Sequence, residues 1–223
     1  MARLFTGPGD RRIRRALCIV AHPDDIEFYC AGTLLLMSRH GAKFDFVVAT
    51  SGDKGTRDPR ATRAEVAQTR EREQMLAADV LGAGRVAFLR HPDAELVENL
   101  ELRRELVREI RESKPDLILT FDPNVPYRSH PDHRAIGRAA LDAAWPTARD
   151  PLTFPDAGAP HETAEAWCFA GLQPDIEVDV TEVIGTKIDA RLAHASQTPN
   201  KASLPRRWRA IAASEKFHQV NLR

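Results

Sequence analysis

Two short polar clusters in the sequence contain the residue types of a hydrolytic metal site. The first cluster, at 21–25, reads AHPDD, and the second, at 129–133, reads SHPDH. Together they supply three imidazoles and three carboxylates, and catalytic zinc sites commonly use three such ligands while leaving one position for water. The clusters therefore predict a divalent metal cofactor, either Zn²⁺ or another ion such as Fe²⁺, with hydrolytic chemistry.

The spacing within the clusters indicates which residues hold the ion. His22 and Asp25 are three residues apart, so a tight turn or one turn of helix directs both at one ion. His133 completes the set from the second cluster. We therefore predict that His22, Asp25 and His133 bind the metal.

Three further residues of the clusters remain free for catalysis. Asp24 would stand beside the metal and take a proton from a water molecule whose pKa the ion lowers to about 7. His130 would act as a cationic acid, with Asp132 two residues further on to orient it or to raise its pKa. A base on one side and an acid on the other suit the hydrolysis of an amide.

The alternative is that the acidic residues of the clusters serve only as helix caps. Asp24 or Asp25 would then cap the helix that follows the first cluster, and Asp132 the helix that follows the second. The triplet His-Pro-Asp also recurs at 91–93, so it arises easily by chance. We favour the metal site because both clusters follow buried strands at an edge where ligands bind.

Strand-like and helix-like segments alternate along the chain. The first four strands and helices are predicted at 16–21, 26–40, 43–50, 61–81, 86–90, 96–113, 116–121 and 131–144. The remainder is predicted as a surface loop at 146–163, two edge strands in antiparallel arrangement at 166–170 and 176–180, and helices at 181–194 and 205–218. This alternation predicts a Rossmann-like three-layer α/β/α fold with a mostly parallel sheet, in a single domain over 1–223.

Composition narrows the classes of protein. The chain of 223 residues has 32 basic and 32 acidic side chains, so it has no global basic field for nucleic acid. No apolar run is long enough to span a bilayer, and the one after the arginine-rich N-terminus is too short for a signal peptide. Three scattered cysteines make no disulfide framework, and we expect a cytoplasmic protein.

The motifs resemble those of the LmbE-like/PIG-L family of zinc-dependent N-deacetylases. Besides the two clusters, the resemblance includes TSGDKGT at 50–56, RERE at 70–73 and HASQ at 194–197, and it covers most of the chain in order. It implies removal of the N-acetyl group from an N-acetylglucosaminyl conjugate, such as a bacillithiol or mycothiol precursor or a chitooligosaccharide, to give a free amine and acetate. It also implies a small amino-sugar substrate as partner and a homo-oligomer, either a trimer or a hexamer.

Carried over by motif, the resemblance implies the same three metal ligands and gives roles to other residues. Asp24 matches the general base, and His130 matches the group that stabilises the tetrahedral oxyanion. Arg70 and Asp93 match positions that bind the sugar. Arg128 stands where some sugar-thiol deacetylases have a tyrosine, and we expect it to contact the substrate.

Three alternatives to a deacetylase are open at this stage. An amidase that cleaves larger amino-sugar thiol conjugates would use the same residues. A non-catalytic metal-binding or sugar-binding protein would lack a catalytic residue, and none is missing. A Rossmann-like nucleotide-binding module would need a glycine-rich turn after the first strand, where this chain has HPDD instead.

Two further expectations concern regions outside the clusters. Specificity is expected from the loops at 52–60, 123–129 and 146–163. His194 is expected to be satisfied by a carboxylate or backbone partner rather than to act as a fourth metal ligand.

Overall fold

The computed structural model describes residues 3–5, 13–126 and 129–223, and of 3–5 only the backbone. The strands are β1 (Arg3–Phe5), β2 (Arg15–Val20), β3 (Lys43–Thr50), β4 (Val86–His91), β5 (Leu117–Phe121), β6 (Glu165–Phe169), β7 (Ile176–Asp179) and β8 (Ser214–Asn221). The α-helices are α1 (Asp25–Tyr29), α2 (Ala31–Arg39), α3 (Arg63–Leu81), α4 (Leu100–Ser113), α5 (Pro131–Ala144), α6 (Ile184–Ala193) and α7 (Leu204–Ile211).

The strands form one sheet in the order β1-β7-β8-β6-β5-β2-β3-β4. Every neighbouring pair is parallel except those that β8 makes with β6 and β7. β2 and β5 are almost wholly buried, which explains why their sequences are continuous apolar runs. The prediction of an α/β fold with a mostly parallel sheet and surrounding helices is confirmed.

The order of the strands creates a switch point between β2 and β5. From β2 the chain continues outward through β3 to β4, and it then returns to place β5 on the other side of β2. Loops that leave two such strands diverge and open a crevice at their carboxyl ends, where ligands bind in folds of this type. The two polar clusters follow these two strands.

Helix α3 is defined by clear end signals. Thr62 and Glu65 form a reciprocal capping box at its start, and Gly82 adopts the left-handed conformation at its end. The helix packs against α6 and β4. One face of α3 therefore lies against the first polar cluster.

The C-terminal prediction was wrong in one element. The segment 205–218 is not one helix, because α7 ends at Ile211 and β8 begins at Ser214. Glu215 and Phe217 are buried while their neighbours are exposed, and this period of two is the pattern of a strand. β8 lies between β6 and β7, so those two strands pair with β8 instead of with each other.

The loop at 146–163 lies at the opposite edge of the sheet from the clusters. It leads into the amino end of β6, and His161 Nε2 lies 2.8 Å from the carbonyl oxygen of Pro115, just before β5. The buried guanidinium of Arg111 donates to six backbone carbonyls between 147 and 158 and fixes the loop. The loop therefore does not line the cavity beside the clusters, and the expectation that it contributes to specificity stays a prediction.

None of the helices in the described ranges has both the length and the apolar character needed to cross a bilayer.

Candidate metal centre

The fold brings the three predicted ligands to one point. His22 comes two residues after the end of β2, and Asp25 is the first residue of α1. His133 lies in the first turn of α5, which follows β5. Because β2 and β5 are adjacent and parallel, their carboxyl ends place all three side chains at the switch point.

The donor atoms of these side chains converge. Nδ1 of His22 lies 3.2 Å from Nε2 of His133 and 3.6 Å from Oδ2 of Asp25. Nε2 of His133 lies 3.3 Å from Oδ1 of Asp25. Ligands at 2.0–2.1 Å around a tetrahedral zinc ion are about 3.3–3.4 Å apart, so the observed separations fit a divalent ion at their centre.

The carboxylates around His22 favour a positive charge at this position, on the imidazole ring or on a bound metal ion. Burial lowers the pKa of His22, but the carboxylates of Asp132, Asp25 and Asp93 more than offset this and raise it to about 11. Burial raises the pKa of Asp25, yet the contacts with His133 and His22 outweigh it and hold the pKa well below its usual range. The cluster therefore carries excess negative charge that a bound metal ion would neutralise.

The far side of the His22 ring is held by a second pair of carboxylates. Oδ2 of Asp132 lies 3.0 Å from Nε2 of His22, and Oδ1 of Asp93 lies 3.1 Å from the same atom. Asp132 also accepts from the backbone N–H groups of Ala94 and Leu96, at 2.7 and 3.2 Å. Since these carboxylates accept, the neutral form of His22 carries its proton on Nε2, and a metal that displaces the second proton would bind the lone pair of Nδ1.

Two other groups of side chains have ligand atoms within 4.8 Å of one another in the described chain. One consists of His22, His130 and His133, and the other of His22, Asp93 and Asp132. Both therefore include the ring of His22, the first with two further imidazoles and the second with the carboxylates that face Nε2.

His130 is arranged differently from the sequence prediction. The backbone N–H of Asp132 donates to Nδ1 of His130 at 3.2 Å, so this nitrogen accepts and the proton of a neutral ring is on Nε2. Burial and the proximity of His22 lower the pKa of His130. The charge of Asp132 does raise the pKa of His130, as predicted, but burial and His22 outweigh it. The Asp132 carboxylate faces His22 rather than His130, so it is the backbone N–H of Asp132 that contacts the His130 ring.

Asp24 occupies the N-cap position of α1, but its side chain does not cap the helix. It precedes α1 with φ at 86°, and its side chain makes no capping hydrogen bond. Its carboxylate lies 3.6 Å from Nη2 of Arg70 and 3.5 Å from Nη2 of Arg191. Burial, together with the charge of Asp25, raises the pKa of Asp24 to about 6 against the opposing effect of the arginines. The carboxylate is thus left available at the cavity.

The site opens into a cavity of about 370 Å³. The predicted site residues line it except Asp132, which is fully buried behind His22, and Arg128, which lies outside the described residues. Three lining residues were missed from the sequence: Phe28, Tyr29 and Gln197. Only Gln197 had a signal, because it belongs to the HASQ motif.

Arg70 is more buried than expected of a sugar-binding residue. Its guanidinium donates to the carbonyl oxygens of Gly52 at 3.0 Å and Pro23 at 2.6 Å. A Cβ added to Gly52, whose φ is +60°, would lie 2.0 Å from Nη1 of Arg70. Arg70 therefore stabilises the loop after β3 through these contacts. Arg70 also lines part of the cavity wall.

A larger groove of about 860 Å³ adjoins the cavity and shares Arg70 and Gln197 with it. Its walls are residues 54–57, the start of α3 and the segment 196–199. Nε2 of Gln197 donates to the carbonyl oxygen of Gly55 at 2.8 Å and joins the two walls. The groove therefore continues the cavity outward from the predicted metal ligands.

The fold and the site define a class: a Rossmann-like α/β protein with a cluster of histidine and aspartate side chains that could hold a metal ion at the switch point of its sheet. Residues 17–144 match the family model PIG-L, described as GlcNAc-PI de-N-acetylase. The chain belongs to this family.

Similar proteins support the same family. The chain is 31% identical over 190 residues to diacetylchitobiose deacetylase from Thermococcus kodakarensis, covering 84% of this chain and 71% of the relative. It is 31% identical over 197 residues to the probable N-acetyl-alpha-D-glucosaminyl L-malate deacetylase 2 of Bacillus anthracis, covering 85% and 84%.

Solved structures show the same fold. The N,N'-diacetylchitobiose deacetylase from Pyrococcus horikoshii, in complex with an inhibitor, has a TM-score of 0.86 and 27% identity over 94% of this chain and 84% of that one. GalB, a 4-carboxy-2-hydroxymuconate hydratase, has a TM-score of 0.78 at 22% identity, over 95% of this chain and 98% of that one. Because a hydratase shares the fold, the reaction has to be argued from the site.

Proposed function

We propose that the protein is a zinc-dependent hydrolase that removes the N-acetyl group from an N-acetylglucosaminyl conjugate, giving a free amine and acetate. One observation carries the proposal: the donor atoms of His22, Asp25 and His133 converge while the Asp24 carboxylate stands beside them, free of a capping role. The deacetylase names of the relatives support the same reaction.

The metal would be held by Nδ1 of His22, the carboxylate of Asp25 and Nε2 of His133. When bound, zinc supplies Lewis acidity, which lowers the pKa of a water molecule to about 7 and polarises a carbonyl oxygen. We favour the Nδ1 side of His22 over the Nε2 side because Asp132, on the Nε2 side, already accepts two backbone hydrogen bonds.

Asp24 moves the proton in the proposed reaction. Its carboxylate accepts the proton of the attacking water and returns it to the nitrogen of the leaving amine. A pKa near 6 keeps Asp24 ionised at neutral pH and leaves it basic enough for this transfer. Arg70 and Arg191, at 3.6 and 3.5 Å, hold the carboxylate between them.

His130 stabilises the negative charge that develops on the acetyl oxygen. Its Nε2–H is the free donor of the ring, because Nδ1 is occupied by the backbone N–H of Asp132. A preorganised donor of this kind contributes about 2.7–4 kcal/mol to the transition state. The neutral ring replaces the cationic acid that the sequence predicted.

The substrate would extend from the cavity into the adjoining groove. The cavity takes the N-acetyl sugar, and Asp93 on its wall offers a carboxylate to a sugar hydroxyl. The groove takes the group attached to the sugar, where Arg57 is exposed on the wall. This cation favours conjugates whose attached group carries a carboxylate.

The proposal is tested with purified protein and a panel of acetylated amino sugars. We expect N-acetylglucosaminyl malate, N-acetylglucosaminyl inositol or N,N'-diacetylchitobiose to release free amine and acetate in equal amounts. Treatment with a chelator should abolish the release, and zinc should restore it; Fe²⁺ is added in parallel. Absence of amine release from every member of the panel, with zinc bound, would overturn the proposal.

A further inference from the structure

The peptide bond between Pro23 and Asp24 is held at both of its polar atoms by two side chains of α3. Nη2 of Arg70 donates to the carbonyl oxygen of Pro23 at 2.6 Å. The backbone N–H of Asp24 donates to Oε1 of Gln74 at 2.9 Å. Arg70 and Gln74 are four residues apart, so they project from the same face of the helix.

This peptide sets the direction of the Asp24 side chain. The φ of Asp24 is 86°, in the left-handed region that costs free energy for a residue with a Cβ. Rotation of the Pro23–Asp24 peptide changes this φ and moves the Cα–Cβ bond of Asp24. The two hydrogen bonds oppose that rotation, so they fix where the carboxylate points.

Gln74 is itself fixed by a buried chain of polar groups. Its Nε2 donates to Oε1 of Glu27 at 3.2 Å, and Oε2 of Glu27 lies 3.2 Å from Nε2 of His194. Gln74, Glu27 and His194 are each 0% exposed. The environment requires an amide at Gln74, because one partner is an N–H donor and the other a carboxylate acceptor.

We propose that Gln74 is a positioning residue that holds Asp24 in its working orientation through the Asp24 backbone N–H. The proposal rests on the proposed function, in which Asp24 is the base. Gln74 does not line the cavity or the groove, so it cannot act by touching the substrate. Its loss should lower the rate of the chemical step and leave substrate binding and metal binding intact.

The test measures kcat, KM, zinc content and thermal stability of Gln74→Met, alone and combined with Asp24→Asn. We expect Gln74→Met to lower kcat about 10–100-fold with KM within about twofold and zinc unchanged, since misplacement of about 1 Å can cost 100-fold. In the Asp24→Asn background it should have no further effect on kcat. Gln68→Met, at an exposed position of the same helix, is the matched control and should behave as wild type.

A second variant protects the test against simple destabilisation. Gln74→Glu combined with Glu27→Gln exchanges the donor and the acceptor and keeps an acceptor for the Asp24 N–H, so it should recover most of kcat. Equal losses from Gln74→Met in both backgrounds, or a raised KM with unchanged kcat, would overturn the positioning role. Failure of the proposed function is distinguishable, because wild-type protein would then release no amine, or Asp24→Asn would retain the full rate.

Discussion

Oδ2 of Asp132 lies 3.0 Å from Nε2 of His22, on the side of the ring opposite to Asp25 and His133. Burial raises the pKa of Asp132, but the hydrogen bonds from His22 and from the Ala94 N–H more than offset this and lower it. The ionised carboxylate thus fixes both the tautomer and the orientation of the proposed metal ligand.

The first prediction concerns this carboxylate. Asp132→Ala should weaken zinc binding about 10–100-fold, because the tautomer and orientation of the His22 ring are no longer fixed. Competition with a chromogenic chelator measures the affinity. Asp142→Ala, on the same helix but ion-paired at the surface with Arg103, is the control and should leave the affinity unchanged. An unchanged affinity in Asp132→Ala would show that Asp132 has no such role.

The second prediction decides which side of His22 holds the ion. Asp25→Ala should lose zinc, because Asp25 lies on the Nδ1 side, whereas Asp93→Ala should retain it and have a raised KM. Metal content by plasma mass spectrometry and steady-state kinetics provide the two readouts. The reverse pattern of metal loss would place the ion among His22, Asp93 and Asp132.

The third prediction concerns the oxyanion. His130→Ala should lower kcat about 100–1,000-fold, because the Nε2–H donor is lost while the proposed ligands remain. Zinc content should stay at the wild-type level in this variant. Loss of zinc together with activity would instead make His130 a ligand, as its proximity to His22 and His133 allows.

The fourth prediction concerns the loop after β3. Gly52→Ala should destabilise the protein by about 1–3 kcal/mol more than Gly41→Ala, measured by urea unfolding. Both glycines have positive φ, but only at Gly52 would the added Cβ meet Arg70, whereas Gly41 has open space around it. Equal destabilisation by the two substitutions would show that contact with Arg70 is unimportant.

The sequence predicted the parts of the site that depend on local order along the chain. His22 and Asp25 follow a buried strand and His133 lies in the first turn of a helix after the neighbouring parallel strand, so the parallel sheet brings them together. The alternation of apolar strands and amphipathic helices also predicted the sheet, because each strand and each helix is recognised from its own consecutive residues.

The parts that were missed depend on contacts between distant segments. The Asp132 carboxylate turns to His22 because the N–H groups of Ala94 and Leu96 meet it there, which no local pattern shows. Gln74 lies on a charge-rich helix where no sequence pattern distinguishes it from the exposed polar residues of the same helix. Strand β8 was not predicted because the polar residues that follow α7 are also typical of a helix. Nε2 of His194 lies 3.2 Å from the Glu27 carboxylate, but neither ring nitrogen of this buried histidine makes a hydrogen bond within the described residues, so its expected satisfaction stays a prediction.

The most direct test is a zinc titration of metal-free protein, with free amine released from an N-acetylglucosaminyl substrate measured at each step. We predict that the rate rises linearly and stops at one zinc per chain, and that Asp24→Asn binds the same one zinc while its rate is about 100–10,000-fold lower. Full activity in the metal-free protein, or wild-type activity in Asp24→Asn, would contradict the proposed metal-dependent deacetylation.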